Sequence, residues 1–321
     1  MVDVTVVLGV HADSDRLVAT LESVRHQRRM DNWECIVVAN GGFQPNARCR
    51  HLFECDPRFR FLDCKQRGLT AALALGCKQA RGALIARIDV GDLMALERLE
   101  HQLKAFVIQS DLVLATSDVE ICGPLWEHLR TDSQPAATGI PQWVNTVPPS
   151  QGIAIDIPHH ASVMFKREAY DAVGGYRSQF YFGQDWDLWY RLASKGTFVH
   201  LPEVLTRVRL FSDGLSSRHW REQREIARLS LACHVARNRG LVETELLQRA
   251  AAVLPISHRK RLLPWDGRRA EGAYFIAESL RRNGDRRCLQ YFREALVYGF
   301  WKYRIWIRAT QALIEYNCTH V

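Results

Sequence analysis

The sequence predicts an α/β protein with a doubly wound sheet of parallel strands. Three observations predict it. Short β-branched runs alternate with stretches of helical spacing, and polar, glycine-containing turns close the strands. In addition, 47% of the 321 residues are hydrophobic, enough for a sizeable core, which suits one large domain with an appendage or two domains.

The elements follow in order. Asp3 to Val10, DVTVVLGV, is a β-branched run that reads as a buried parallel strand. Leu17, Val18, Leu21 and Val24 then recur at helical spacing between Asp15 and Gln27. WECIVVANGG, Trp33 to Gly42, is the next strand and its turn, and RFRFLDC, Arg58 to Cys64, the third. Arg67 to Gly82 is an Ala-rich helix closed by Gly82, leading into the strand ALIARIDVGD. A helix over residues 96–108 and a strand over 111–121 come next. Residues 139–160 read as loop with short strands, and Ala161 to Arg177 resumes strand and helix, closed by Gly174 and Gly175. Asp185 and Asp187 lead into an aromatic-rich amphipathic helix that is expected to begin near Leu188. From about Trp220 onward the pattern is helical, with one hairpin turning at Asn283-Gly284-Asp285. The expected organisation is therefore an α/β domain over residues 1–219 and a helical extension over 220–321.

Composition excludes several classes. No apolar run is long enough to cross a bilayer, and MVDVTVVLGV has no basic stretch of the kind that opens a signal peptide. Nine scattered cysteines with no CxxC pair point to reduced thiols in a cytoplasmic protein, against a disulfide framework or zinc ribbon. The net charge of +8 is uneven: residues 1–110 carry +2, residues 111–206 carry −5 and residues 207–321 carry +11. That basic final third suits an anionic partner, such as an inner membrane face bound peripherally, or else is solubilising charge on helices. No nucleic-acid-binding motif accompanies it. The stretch Leu296 to Ile314 mixes Phe300, Trp301, Tyr303 and Trp306 with Lys302, Arg304 and Arg308. Two readings of it stand: a face for a bilayer interface, or a helix that packs its aromatics onto the preceding α/β domain with its arginines solvated.

In doubly wound sheets, ligands sit beyond the carboxyl ends of the strands. Val10-His11, Ala39-Asn40 and Asp89 to Asp92 all fall at strand ends and are expected to converge on one crevice. For the two acids a structural alternative exists, a strand-to-helix turn in which Asp92 caps the helix and Gly91 supplies an unusual backbone angle.

The succession VTVVLGV, ECIVVANGG, RGLTAALALGCKQARGALIARIDVGD, GGYR and QDWDLWYRL resembles the catalytic domain of glycosyltransferase family 2, over roughly Val2 to Ser217. The resemblance implies the GT-A fold, a mixed sheet flanked by helices, here with a C-terminal helical extension. It also implies an inverting, hexosyltransferase-type enzyme that moves a sugar from a nucleotide-diphosphate sugar, first of all a UDP-sugar, to a saccharide or lipid-linked acceptor in polysaccharide biosynthesis. Carried onto this chain, it places Val10, His11, Asn40, Arg67 and Asp89 at the donor. It assigns Asp89 and Asp92 to a divalent cation, Mn²⁺ or Mg²⁺, and makes Asp185 the catalytic base. For Asp185 the structural alternative is a helix N-cap, and for Asp187 a cap or an orienting group. A cation would balance the diphosphate leaving group, and a positioned carboxylate would take the acceptor proton.

Departures from the family pattern bear on this. Gly91 stands where the metal-binding acid is usual, Ala39 where an acid usually reads the base, and Leu210 where a histidine often lies near the phosphates. Asp92 is one substitute, and direct neutralisation by Arg87, Arg67 or Arg209 is another. His159 and His160 face the acceptor cleft or metal, or form a structural pair. Trp186 is placed on a sugar face and Trp189 in the core. The rival to the enzyme reading is a catalytically silent glycan- or nucleotide-binding module on the same fold.

Overall fold

The computed structural model describes residues 2–12, 14–133, 142–144, 157–214, 219–254 and 266–318. The chain divides into two units. The first comprises Met1–Val119, Asp132–Val208 and Arg224–Leu254, and the second Glu120–Thr131, Arg209–Gln223 and Pro255–Val321.

In the first unit, β1 (Val4–Val10), β2 (Trp33–Asn40), β3 (Phe59–Cys64) and β4 (Leu84–Arg87) form the parallel half of the sheet in the order β3-β2-β1-β4. These runs are rich in Val, Ile and Leu because helices cover both faces, as in parallel sheets generally. On one face Leu17, Leu21 and Val24 of α1 (Ser14–Arg25) pack with Val6, Leu8, Cys35 and Val37. Each fully buried Leu or Val contributes roughly 1.5–3 kcal/mol. On the other face lies α3 (Leu69–Lys78), where Gly76 allows a close approach: a Cβ there would meet Val7 Cγ1 at 2.5 Å. Between them, α2 (Ala47–Cys55) was not evident from periodicity, since only Cys49 and Leu52 are buried. Its start depends on Asn46, whose side chain accepts the Cys49 N–H at 3.0 Å.

Beyond β4 the sheet ceases to be parallel. The strands β6 (Leu112–Cys122), β9 (Met164–Lys166) and β10 (Thr197–Arg209) extend the sheet in the order β4-β9-β6-β10, and β5 (Leu93–Met94) pairs antiparallel with β10. The strand β9 runs antiparallel to both β4 and β6. A further strand, β8 (Gln142–Val144), pairs antiparallel with β10, and most of the loop expected over 139–160 lies outside the described residues.

The helix α4 (Arg98–Ile108) ties residues 161–163, just before β9, in place through two buried side chains. Arg98 donates to the carbonyls of Arg87 (2.9 Å), Ala161 (2.7 Å) and Val163 (3.2 Å). Gln102 Nε2 donates to the carbonyls of Ser162 (2.7 Å) and Ala115 (3.1 Å). The helix is preceded by Glu97, with β5 intervening, so Asp92 does not cap it. After β9 come α5 (Arg167–Ala172) and α6 (Gln184–Leu192). The extension expected over 220–321 is divided between the units. From Arg224 onward α7 (Trp220–Asn238), with α8 (Thr244–Ala252), belongs to the first unit, and the second takes up again at Pro255. Ile226, Leu229 and Cys233 of α7 and Ala250 of α8 pack with Phe180 and Phe182.

In the second unit β7 (His128–Asp132) forms a hairpin with the end of β6, closed by the Glu127 carbonyl accepting the Gly123 N–H at 2.7 Å. Among the described residues, helices α9 (Gly267–Arg282), α10 (Cys288–Gly299) and α11 (Tyr303–Cys318) accompany it. Asp266 caps α9 by accepting the N–H groups of Arg268 and Arg269. The expected turn at Asn283 to Asp285 joins α9 to α10. The buried Glu127 accepts the Tyr291 hydroxyl at 2.6 Å, tying α10 to the hairpin. Among the described residues no helix is long and apolar enough to cross a membrane, and Cys35, Cys49, Cys55, Cys64, Cys77, Cys122, Cys233 and Cys288 form no disulfide.

Candidate active site

The parallel register brings the first group of site residues level. Val10 lies opposite Ala39 on β2, and Asn40 opposite Cys64 on β3. Val10 is buried, His11 exposed just beyond it, and Asn40 buried at the end of β2. Asn40 Oδ1 accepts the Gly68 N–H at 3.1 Å, so its side chain clamps the loop that carries exposed Arg67 into α3. Part of the hydrogen-bonding capacity expected for a nucleotide base is thus spent on backbone. Ala39 is wholly buried in the core.

The acidic turn after β4 is shaped by α1. Gly91 adopts φ +101°, a backbone conformation that side chains disfavour. Its N–H donates to Thr20 Oγ1 at 2.9 Å, and the Thr20 hydroxyl donates to the Asp92 carbonyl at 2.9 Å. Asp92 N–H closes the turn on the Asp89 carbonyl at 3.1 Å. Asp92 itself is 5% exposed and lies in the field of buried Arg98.

Asp89 is the centre of a charged chain. Arg87, fully buried at the end of β4, donates from Nη2 to Asp89 Oδ1 at 2.7 Å and from Nη1 to the Tyr176 hydroxyl at 3.0 Å. His160 Nε2 lies 2.7 Å from Asp89 Oδ2, and His160 Nδ1 lies 3.4 Å from Asp185 Oδ2. His160 opens a 3-10 turn (His160–Ser162) that the carbonyl contacts of Arg98 and Gln102 hold in place, and its ring stacks on His159 at 4.5 Å. Burial opposes the charge on Asp89, but His160 and Arg87 outweigh it and hold the carboxyl well below the usual range. Burial likewise opposes a charged His160, yet Asp89, assisted by Asp185, raises its pKa to about 9.

Asp185 sits in the first turn of α6, which begins at Gln184 rather than near Leu188. The N-cap is Gly183, in left-handed backbone, so Asp185 is not the cap. Asp187 is committed elsewhere. Its Oδ2 accepts from Arg191 at 2.9 and 2.6 Å, its Oδ1 lies 3.7 Å from Arg177, and it is fully buried. Trp189 is in the core, whereas Trp186 is partly exposed. Arg209 belongs to the second unit, where it donates to the Pro124 carbonyl at 2.8 Å and lies over Trp126.

These donors do not fit the divalent cation expected at Asp89 and Asp92. Both Asp89 oxygens hold cationic side chains, and Gly91 offers no side-chain donor. Arg87 and His160 balance the charges of Asp89 and Asp185 within one cluster, whereas a cation site needs several free oxygen ligands and surplus negative charge. Among the described residues no group of three or more His, Cys, Asp or Glu is arranged to hold a metal ion.

Sequence reasoning had singled out Asp89 and Asp185 but not the bridge between them. The paired histidines before a strand were the available signal for His160. The roles of Arg87 as an inward partner of Asp89 and of Tyr176 as its hydrogen-bond acceptor had no periodic signature.

Comparison with known proteins identifies the family and the fold. The profile of glycosyl transferase family 2 matches residues 5–174. The O-antigen biosynthesis glycosyltransferase WbnJ of Escherichia coli is 25% identical over 212 residues, covering 64% of this chain and 79% of that protein. Among solved structures, S. aureus TarS 1–349 superposes with a TM-score of 0.56 at 10% identity, covering 99% of this chain and 92% of that one. The mannosyltransferase PcManGT of Pyrobaculum calidifontis, in complex with GDP-Man and Mn²⁺, superposes with a TM-score of 0.54 at 17% identity, covering 97% and 84%. With more than half of its length matched by the family profile and a mixed sheet shared with GT-A transferases, this chain is a member of glycosyltransferase family 2 built on the GT-A fold.

Proposed function

We propose that this glycosyltransferase moves a sugar, with inversion, from a nucleotide-diphosphate sugar to a hydroxyl of a saccharide or lipid-linked acceptor in surface polysaccharide assembly. The observation that carries the reading is the placement of Asp185 at the start of α6, joined through His160 to Asp89 at the end of β4. In this mechanism the Asp185 carboxylate takes the acceptor proton as the acceptor oxygen bonds to the anomeric carbon. The bond from that carbon to the diphosphate oxygen breaks on the opposite face, and the nucleoside diphosphate leaves with the electron pair. A base and a leaving group on opposite faces require inversion. His160 keeps Asp185 and Asp89 in register. Val10, His11, Asn40 and Arg67 form the donor side in this reading, with Arg67 the exposed cation among them. No step is assigned to a divalent cation.

The O-antigen role in the name of WbnJ supports a polysaccharide acceptor. A structure of TarS 1–349 in complex with UDP, TM-score 0.51, and the GDP-Man complex of PcManGT support a nucleotide-sugar donor. UDP-sugars are the first to test. A panel of UDP- and GDP-sugars, assayed for nucleoside diphosphate release with saccharide acceptors, tests the reading. Release from one donor, enhanced by acceptor, is the expected result; donor binding without release from any would favour a silent binding module.

A further inference from the structure

We propose that the second unit docks this protein on an anionic lipid bilayer through the outward face of α11 and the aromatic turn that precedes it. The helix is apolar on two faces. Ile305, Ala309 and Ala312, spaced i, i+4 and i+7, are buried within the protein. Tyr303, Trp306, Ile307, Leu313 and Ile314 form a second stripe that stays 49–66% exposed. The aromatic residues therefore do not supply the packing of this helix; small and aliphatic residues do. Contiguous exposed apolar surface of this kind marks an interaction site.

Two features specify the occupant. Trp306 Nε1–H donates to the Phe300 carbonyl at 2.7 Å, so its indole ring can enter an apolar phase without stranding a buried donor. Phe300 and Trp301, about half exposed, stack edge to face at 5.3 Å beside it. The second feature is charge. The unit carries 17 Lys and Arg against 10 Asp and Glu. Next to the stripe, Arg304 and Arg308 hydrogen-bond to the neutral side chains of Tyr303 and Gln311, and Glu271 and Glu278 act on them through the field rather than in a contact pair. An apolar, aromatic helix face flanked by arginine suits the headgroup boundary of an anionic membrane. A second copy of the chain would bring two positive surfaces together, which mutual repulsion opposes. The helix lies on the bilayer, since no described helix is able to span it.

The test uses the full chain in co-sedimentation with vesicles of phosphatidylglycerol and phosphatidylcholine, against phosphatidylcholine alone. The expected result is binding at least about tenfold tighter to the anionic vesicles, lost at high salt. Trp306→Ser, and separately the double change Arg304→Glu with Arg308→Glu, should each lower partitioning about fivefold or more with an unchanged melting temperature. Equal binding to both vesicle types, no binding to either, or variants that partition like wild type would overturn the proposal. So would a concentration-dependent dimer in sedimentation velocity that Trp306→Ser abolishes, because that result assigns the face to a second copy. The readout does not involve sugar transfer and stands apart from the reading of the active site.

Discussion

Asp89 and His160 are bound to each other at 2.7 Å, and the far side of the same imidazole lies 3.4 Å from Asp185. With its pKa raised to about 9, His160 is charged at neutral pH and bridges two carboxylates. A histidine whose folded pKa exceeds its unfolded value, about 6.5, adds stability that is complete below that unfolded value and lost as pH rises through the folded one. The stability advantage of wild type over His160→Gln should therefore be largest near pH 6 and shrink steadily toward pH 10. Urea unfolding of both proteins across that range provides the check. A constant or widening gap would mean that the pair with Asp89 does not charge the ring.

Asp185→Asn should reduce turnover by about 10²-fold or more while leaving donor affinity within a few-fold, because the amide keeps the shape but cannot take a proton. Steady-state kinetics with saturating acceptor, together with nucleotide titration, separate the two effects. Near-normal turnover would remove the carboxylate from the role of base.

Chelation offers a direct comparison with metal-dependent transfer. Because both Asp89 oxygens hold cationic side chains and Gly91 offers no side chain, turnover should stay within about threefold when EDTA replaces Mn²⁺ or Mg²⁺. Loss of activity in EDTA, restored by added Mn²⁺, would show that donor binding rearranges Asp89 into a metal ligand.

Arg191→Met should destabilise the fold by about 3–5 kcal/mol, since it leaves the buried Asp187 carboxylate without its bidentate partner. Changing Asp187 to Asn and Arg191 to Met together should recover part of that loss. Denaturant midpoints of the three proteins measure both effects. A single change costing less than about 1 kcal/mol would show that Arg177 alone suffices for Asp187.

Much of this protein was legible in the order of its residues. The apolar runs at Val4, Trp33 and Leu84 specified the parallel strands, because a strand covered on both faces reads as a near-continuous apolar run, interrupted here by Thr5, Glu34 and the strand-end Asn40 and Arg87. The glycine between the two acids announced the turn, because φ +101° is costly for any residue with a Cβ. The position of Asp185 ahead of an amphipathic helix, set beside the earlier motifs, was sufficient to identify the family. Tertiary structure alone decided how those acids are used. The antiparallel strand β9 lies between β4 and β6, and it brings the turn at His160 against the end of β4. Arg87, Asp89, His160 and Asp185 thereby become one charge-balanced chain, in which Asp89 is neutralised by its near neighbour Arg87 and by His160, distant in sequence. The same limit applies to α11, where the sequence left two uses of the aromatic residues open, a bilayer interface or packing within the protein. Only packing decided that Ile305, Ala309 and Ala312 face inward while Trp306 and its neighbours remain at the surface. Periodicity reports which positions share a face, whereas ionic partners and buried faces depend on what the rest of the chain brings next to them.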